Sequence, residues 1–380
     1  MTQAMTRLPL ARRGTRLAFL AGGFLIGSWA PLIPGVKAAT GLDDAQFGLA
    51  LLCLGAGSLM SMLAAGGIAA RIGTGPVIAV AGTLAALALP VAALAGNGWW
   101  LGLSLMLFGA ALGALDVAMN ISGSQVEVLE DRPLMSGFHA MFSIGGLAGA
   151  IAATCLASIQ LPGVAVAAVC GGLALPAALA GARHALRSEG RSAAFLAWPR
   201  GPVLVFAGMV CVTFLVEGAI LDWGGLLLLE RDLASMQTAG LGFAAFSVGM
   251  VAMRLLGDRV VERHGSGPVL MLSGCLAVLG IFGTLLLPWT APVLASFCLV
   301  GIGAASIAPI LFSACGRQEA MAIGPAVSIV AFAGYGGHLA GPAVVGFIAG
   351  ASSVAFALAV LAILFLVIPV AACLLGGVWR

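Results

Sequence analysis

Twelve apolar stretches, each long enough to cross a bilayer, fill almost the whole of this sequence. A helix needs about 20 mainly apolar residues to traverse the hydrocarbon. With charges, prolines, glycines and short polar breaks as boundaries, the stretches run over 17–36, 46–70, 76–95, 98–124, 134–158, 162–182, 201–229, 237–258, 268–288, 291–314, 323–348 and 351–375. They are continuous, unlike the alternating ~10-residue segments of an outer-membrane barrel. The chain has 380 residues, of which only 8% are charged, against roughly a quarter in a soluble domain. A surface with so few charges cannot face water all round. The fold class is an all-α membrane protein of twelve transmembrane helices.

Composition removes several functions. The net charge of +3 is too small a bias to attract nucleic acid. Lys37 is the single lysine, and it does not follow a glycine loop of the kind that cradles ATP phosphates. The eight cysteines sit inside apolar stretches with no C-x-x-C pair, so they read as small packing residues and no metal site is expected. No zinc-protease motif, nucleophile elbow or cofactor fingerprint is present. No catalytic residue and no cofactor are assigned, and the chain is expected to be a monomer in lipid.

Arginines set the orientation. With the N-terminus inside, Arg7, Arg12, Arg13, Arg16, Arg71, Arg132, Arg183, Arg187, Arg191, Arg200, Arg259, Arg263, Arg317 and Arg380 fall on the inner side, against Lys37 and Arg231 outside. The positive-inside rule chooses this arrangement, with both termini cytoplasmic. Asp43, Asp44, Glu230 and Asp232 collect outside, and Trp99, Trp100, Trp289, Trp198 and Trp379 fall at predicted interfaces. The first stretch follows four arginines, but Trp29-Ala30-Pro31 offers no small-residue cleavage site, so a retained first helix is expected.

The polar segment 183–200 separates six spans from six, giving an N-terminal bundle over 1–182 and a C-terminal bundle over 201–380. Sliding the chain by 192 residues lays RIGTGPV (Arg71 to Val77) on RHGSGPV (Arg263 to Val269). The same shift superposes Gly57 on Gly249, Gly109 on Gly301, Pro133 on Pro325, Ser136 on Ser328, Gly145 on Gly337 and Gly149 on Gly341. One constant offset across several spans is a duplication. Since each half holds six spans, the copies enter with the same orientation, as a parallel repeat.

The loop carrying Arg71 and Gly73, and its copy Glu262-Arg263-His264-Gly265, resemble the D-R-x-G signature loop of the major facilitator superfamily. Ala70 stands where the family's acid belongs in the first half, and Glu262 replaces aspartate in the second. Within the superfamily, DVAMN (Asp116 to Asn120) and RPLMSGFHAMFSIGG (Arg132 to Gly146) resemble the fucose-permease-like branch of bacterial inner-membrane proteins. The resemblance implies a secondary transporter working by alternating access, with proton-coupled symport of a small sugar- or polyol-like solute. Proton-antiport efflux of drugs or metabolites, and a membrane sensor that moves nothing, are the alternatives.

Charges in hydrocarbon cost about 2.5–3.5 kcal/mol each on insertion scales, so each one kept is a functional candidate. Asp116, Glu217 and His139 are the candidates for proton coupling; the branch resembled uses a span-four acid, which puts Asp116 first. A carboxylic acid screened from water binds its proton more tightly and can carry it near neutrality. Asn120 lies one helical turn from Asp116 on the same face. With Asn120, the residues Trp29, Phe142, Asp222, Trp223, Tyr335 and His338 supply the aromatic faces and hydrogen-bonding groups a solute pocket needs. Arg254, Arg71, Glu262 and Arg263 are assigned structural roles, with Arg254 pairing acids of spans four or five. At about 1.5 Å per residue, Asp116 and His139 are expected at similar depth toward the cytoplasm, and Glu217 in the outer third. These ionisable groups are expected to face a shared aqueous crevice.

Overall fold

The computed structural model describes residues 2–186, 198–234, 238 and 240–376. Arg187, Arg191, Trp379, Arg380 and most of the 183–200 segment lie outside the described residues, as do the side chains of Arg7, Asp44 and Pro342. Among the described residues every regular element is helical: α1 (Thr2–Trp29), α2 (Ile33–Thr40), α3 (Asp44–Ile72), α4 (Thr74–Ala93), α5 (Gly98–Glu130), α6 (Met135–Ser158), α7 (Gly163–His184), α8 (Val203–Glu230), α9 (Leu241–His264), α10 (Ser266–Leu286), α11 (Thr290–Ala305), α12 (Ile307–Arg317), α13 (Ile323–Ala351), α14 (Val354–Phe365) and α15 (Val367–Leu374). Joined across short breaks, they make twelve spans long and apolar enough to cross a membrane.

Proline explains the breaks. Its ring clashes with the carbonyl four residues earlier, and it has no N–H to donate. Pro34 follows the 3-10 turn Ala30–Leu32 that separates α1 from α2. Pro309 lies just beyond the break at Ser306, and Pro369 just beyond the break at Leu366. α13 by contrast runs unbroken past position 342. Gly73 and Gly265, the glycines of the two signature loops, have φ of 89° and 81°. That left-handed conformation favours glycine and lets α3 turn into α4, and α9 into α10, with a single residue between.

Two compact units emerge. The first comprises 1–131, 138–198 and 321–329; the second comprises 132–137, 199–320 and 330–380. Thus α6 begins in the second unit and continues in the first, while α13 begins in the first and continues in the second. In the first unit Leu25, Trp29, Phe47, Leu89, Leu101 and Phe108 share one apolar cluster. Exposed Leu, Val and Ile side chains cover the outward helix faces, as a lipid-facing surface requires.

The sequence repeat reappears at atomic scale. Within the first unit, a Cβ added to Gly57 would strike the Met106 carbonyl, and one added to Gly109 the Leu54 carbonyl. Within the second unit, Gly249 faces the Cys298 carbonyl and Gly301 the Phe246 carbonyl in the same way. All four pairs obey the 192-residue offset. α3 therefore crosses α5, and α9 crosses α11, backbone on backbone, the packing that small residues permit in membranes. Gly145 and Gly149 do likewise against the Leu20 and Phe24 carbonyls, and Gly337 and Gly341 against those of Cys211 and Leu215.

Candidate functional site

α5 carries the first group. It starts at Asn97, whose side chain accepts from the Trp100 N–H and caps the helix, and runs 33 residues without a proline. Asp116 therefore lies about 27 Å from one end and about 21 Å from the other, close to the midpoint. The Asn120 amide nitrogen donates to the Asp116 carbonyl oxygen at 2.9 Å and to its carboxylate at 3.3 Å. The one-turn spacing thus puts both side chains on one face, as expected. Asp116 is half-buried and Asn120 is buried. The Asn120 Oδ1 atom is buried with no hydrogen-bond partner.

His139 sits four residues into α6, about 6 Å from the helix start. α5 does not end at residue 124 but continues to Glu130 and buries Glu127 on the way. His139 tilts against Phe19 at a centroid distance of 5.2 Å, and Phe19 stacks on Phe138. Phe142 and Met119 both pack over Gly22 of α1, each 3.5 Å from where a Cβ would be. Trp29 is only 4% exposed and belongs to the apolar core cluster, which favours packing over solute contact for that ring.

The second unit holds the other group. Glu217 is 14 residues from the start of the 28-residue α8, hence near mid-helix. Half-buried, it keeps Oε1 buried without a hydrogen-bond partner. Its electrostatic neighbour is Arg254 of α9, so the arginine expected to serve spans four and five is matched to a span-seven acid. Asp222, exposed on α8, and His338, half-buried on α13, form a second coupled pair. His338 is anchored by a hydrogen bond with the Phe214 backbone. Its own carbonyl lies 2.5 Å from where a Cβ at Gly218 would sit; the glycine lets α13 close on α8. Tyr335 is half-buried one turn earlier, and the Trp223 indole packs over Gly346.

Arg71, Glu262 and Arg263 are exposed at the signature loops. Composition-based reading also passed over Glu127, buried to 2%, and the Thr15–Ser122 hydroxyl pair at 2.9 Å that joins α1 to α5. The signal for Glu127 was the lack of any glycine or proline between Gly123 and Pro133, which lets the helix continue where hydropathy falls. All eight cysteines are free. Among the described residues no cluster of His, Cys, Asp and Glu could hold a metal ion.

No protein-family model matches the chain. An uncharacterised MFS-type transporter of Yersinia pestis is 39% identical over 361 residues, covering 94% of each chain. The fold is similar to that of the Escherichia coli fucose:proton symporter FucP, with a TM-score of 0.74 at 16% identity over 96% of this chain and 98% of that one. It is also similar to the proton:xylose symporter XylE, with a TM-score of 0.71 at 12% identity over 98% and 96%. Twelve spans, a duplicated glycine-locked core and a full-length relative agree: the chain belongs to the major facilitator superfamily of membrane transporters.

Proposed function

We propose that the chain is a secondary active transporter that moves a small sugar- or polyol-like solute together with protons by alternating access. In this reading it lies in a bacterial inner membrane with both termini in the cytoplasm. The observation that carries it is the Asp116–Asn120 pair at mid-helix in α5. It joins a half-buried carboxylate, able to take up a proton, to an amide whose buried oxygen has no protein donor. A hydroxyl-bearing solute supplies that donor. Protonation of Asp116 removes a charge, and only a difference in proton affinity between two states can then shift their balance. Glu217, with its own unbonded buried oxygen, is the second protonatable position. Two proton symporters of sugars among the solved relatives of the fold support the solute class.

Proteoliposomes loaded with a pH-sensitive dye test this reading. Addition of L-fucose, D-xylose or D-mannitol to wild-type vesicles is expected to drive proton movement for at least one of the three. In Asp116→Asn vesicles proton movement should vanish, while exchange of labelled for unlabelled solute continues, because exchange need not cycle the proton. Solute accumulation that ignores the pH gradient, or persists unchanged in Asp116→Asn, would refute proton coupling at this position.

A further inference from the structure

α9 ends on Arg263 and His264, and Gly265 turns the chain directly into α10. Against that turn lies a cavity of about 470 Å³, a volume within the ~300–1,000 Å³ of ordinary ligand sites. His264, Pro268 and Met271 line one side of it, and Ala372 of α15 and Gly376 line the other. All of them belong to the second unit. Only His264 brings a polar side chain. Ala372 is buried and makes an apolar floor, while Met271, Leu272 beside it and Leu374 at the tip of α15 are exposed. The floor therefore runs out onto a surface of the kind that meets lipid tails.

The repeat supplies the contrast. The 192-residue offset lays Gly75 on Gly267 and Ala182 on Leu374. In the first unit that space is filled: a Cβ on Gly75 would sit 2.8 Å from the Ala182 carbonyl and 3.5 Å from the Ala185 Cβ. α7 reaches His184 without a break, whereas its counterpart is interrupted at Leu366 and ends at Leu374. His264 itself replaces Ile72. Charge gathers at the same rim, where Arg259 and Arg263, one helical turn apart, are exposed together with His264. Of the acids on this stretch, Asp258 is engaged, its two oxygens accepting the Ser136 and Gly137 N–H groups of α6 at 2.9 and 2.8 Å. Glu262 is the exposed one. The His264 Nδ1 donates to the Val260 carbonyl at 3.1 Å, which leaves Nε2, when protonated, to donate to an anion.

We propose that this groove holds one anionic phospholipid, with an acyl chain against Met271, Pro268 and Ala372 and the headgroup phosphate paired with Arg263 and His264. An apolar groove with a basic rim is the chemistry that captures such a lipid, and the site does not rest on the transport reading. Purified protein in neutral detergent is titrated with phosphatidylglycerol and, separately, with phosphatidylcholine of the same chains. The rise in Tm reports binding, since a ligand of the folded state stabilises it. Phosphatidylglycerol should bind about five-fold more tightly or better, and free glycerophosphate should give no shift. Arg263→Gln should weaken phosphatidylglycerol about five-fold, the worth of one basic residue at an anionic surface. Met271→Trp keeps every charge but fills the groove, and should weaken both lipids. Both positions are exposed, so the lipid-free Tm of each variant should stay near that of the wild type. Arg71→Gln, in the copy where the space is filled, should leave lipid binding unchanged. Equal affinity for the two lipids, a shift with glycerophosphate alone, full affinity in Met271→Trp, or an equal loss in Arg71→Gln would overturn the proposal. Lipid binding that emerges only after removal of residues 377–380 would give the groove to the chain's own tail and overturn it as well.

Discussion

Gly109→Ala should destabilise the first unit by an amount that the crossing of α3 and α5 allows to be worked out. The added Cβ would meet the Leu54 carbonyl inside 3.0 Å, a distance real Cβ atoms essentially never show. An ordinary C···O contact is about 3.3–3.6 Å, so the helices must part by about 1 Å or more. Overpacking of this kind costs about 1–3 kcal/mol. The same shift stretches the bond from Ser58 Oγ to the Gly109 carbonyl, now 2.8 Å and buried, at a further cost of about 0.5–1.5 kcal/mol. Alanine's better helix propensity returns about 0.8–1 kcal/mol. The net loss is about 1–3 kcal/mol, which at about 2–4 °C per kcal/mol for a unit of this size is a fall of about 2–12 °C in Tm. Gly301→Ala meets the equivalent Phe246 carbonyl, but Met250 stands where Ser58 would be, so it should cost less by that one hydrogen bond. Gly172→Ala is the control: α7 offers nothing within 4 Å of its Cβ, and the variant should melt at or slightly above the wild type. The assay is fluorescence-detected size-exclusion after a temperature series in detergent. If Gly109→Ala melts with Gly172→Ala, the backbone-on-backbone crossing is wrong.

Other outcomes follow from the same structure. Glu217→Gln should abolish or shift the pH dependence of transport and lower Tm, since it takes away the charge that faces the Arg254 guanidinium; an unchanged pH profile would remove Glu217 from coupling. Arg231 donates to the Thr284 carbonyl, and to the Leu287 carbonyl at 2.7 Å, at the end of α10. Half-buried as it is, its replacement in Arg231→Gln should cost about 1–2 kcal/mol, read as a fall of about 2–8 °C in Tm. Gly96→Cys should react with an impermeant reagent from the periplasmic side alone and Glu319→Cys from the cytoplasmic side alone. The reverse pattern would invert the orientation that the arginines choose.

Hydropathy is a local property, so the twelve spans were legible residue by residue, and the duplication was legible because each glycine lock survives in both copies. Gly57, Gly109, Gly249 and Gly301 stood out as repeat matches before their carbonyl partners were known. The Asp116–Asn120 pairing was equally legible, because a one-turn spacing dictates a shared face. Depth was not. The polar run Gln125-Val126-Glu127 reads as the end of a span, yet the helix continues, since burial against neighbouring elements, not hydropathy, decides whether Glu127 is tolerated. The pairing of Arg254 with Glu217, the burial of Trp29 and the reach of Asp258 to α6 are products of packing, and no window along the chain contains them.

The crossings of α3 with α5 and of α9 with α11 leave no side chains between the helices to act as bearings. Carbonyls seated directly on glycines cannot slide by a rotamer change, so neither pair can ratchet. Each crossing therefore holds its two helices as one piece, and flexing is left to places where the backbone is already interrupted, as at Ser306 and Leu366. Engineering a faster or slower carrier should begin at those joints.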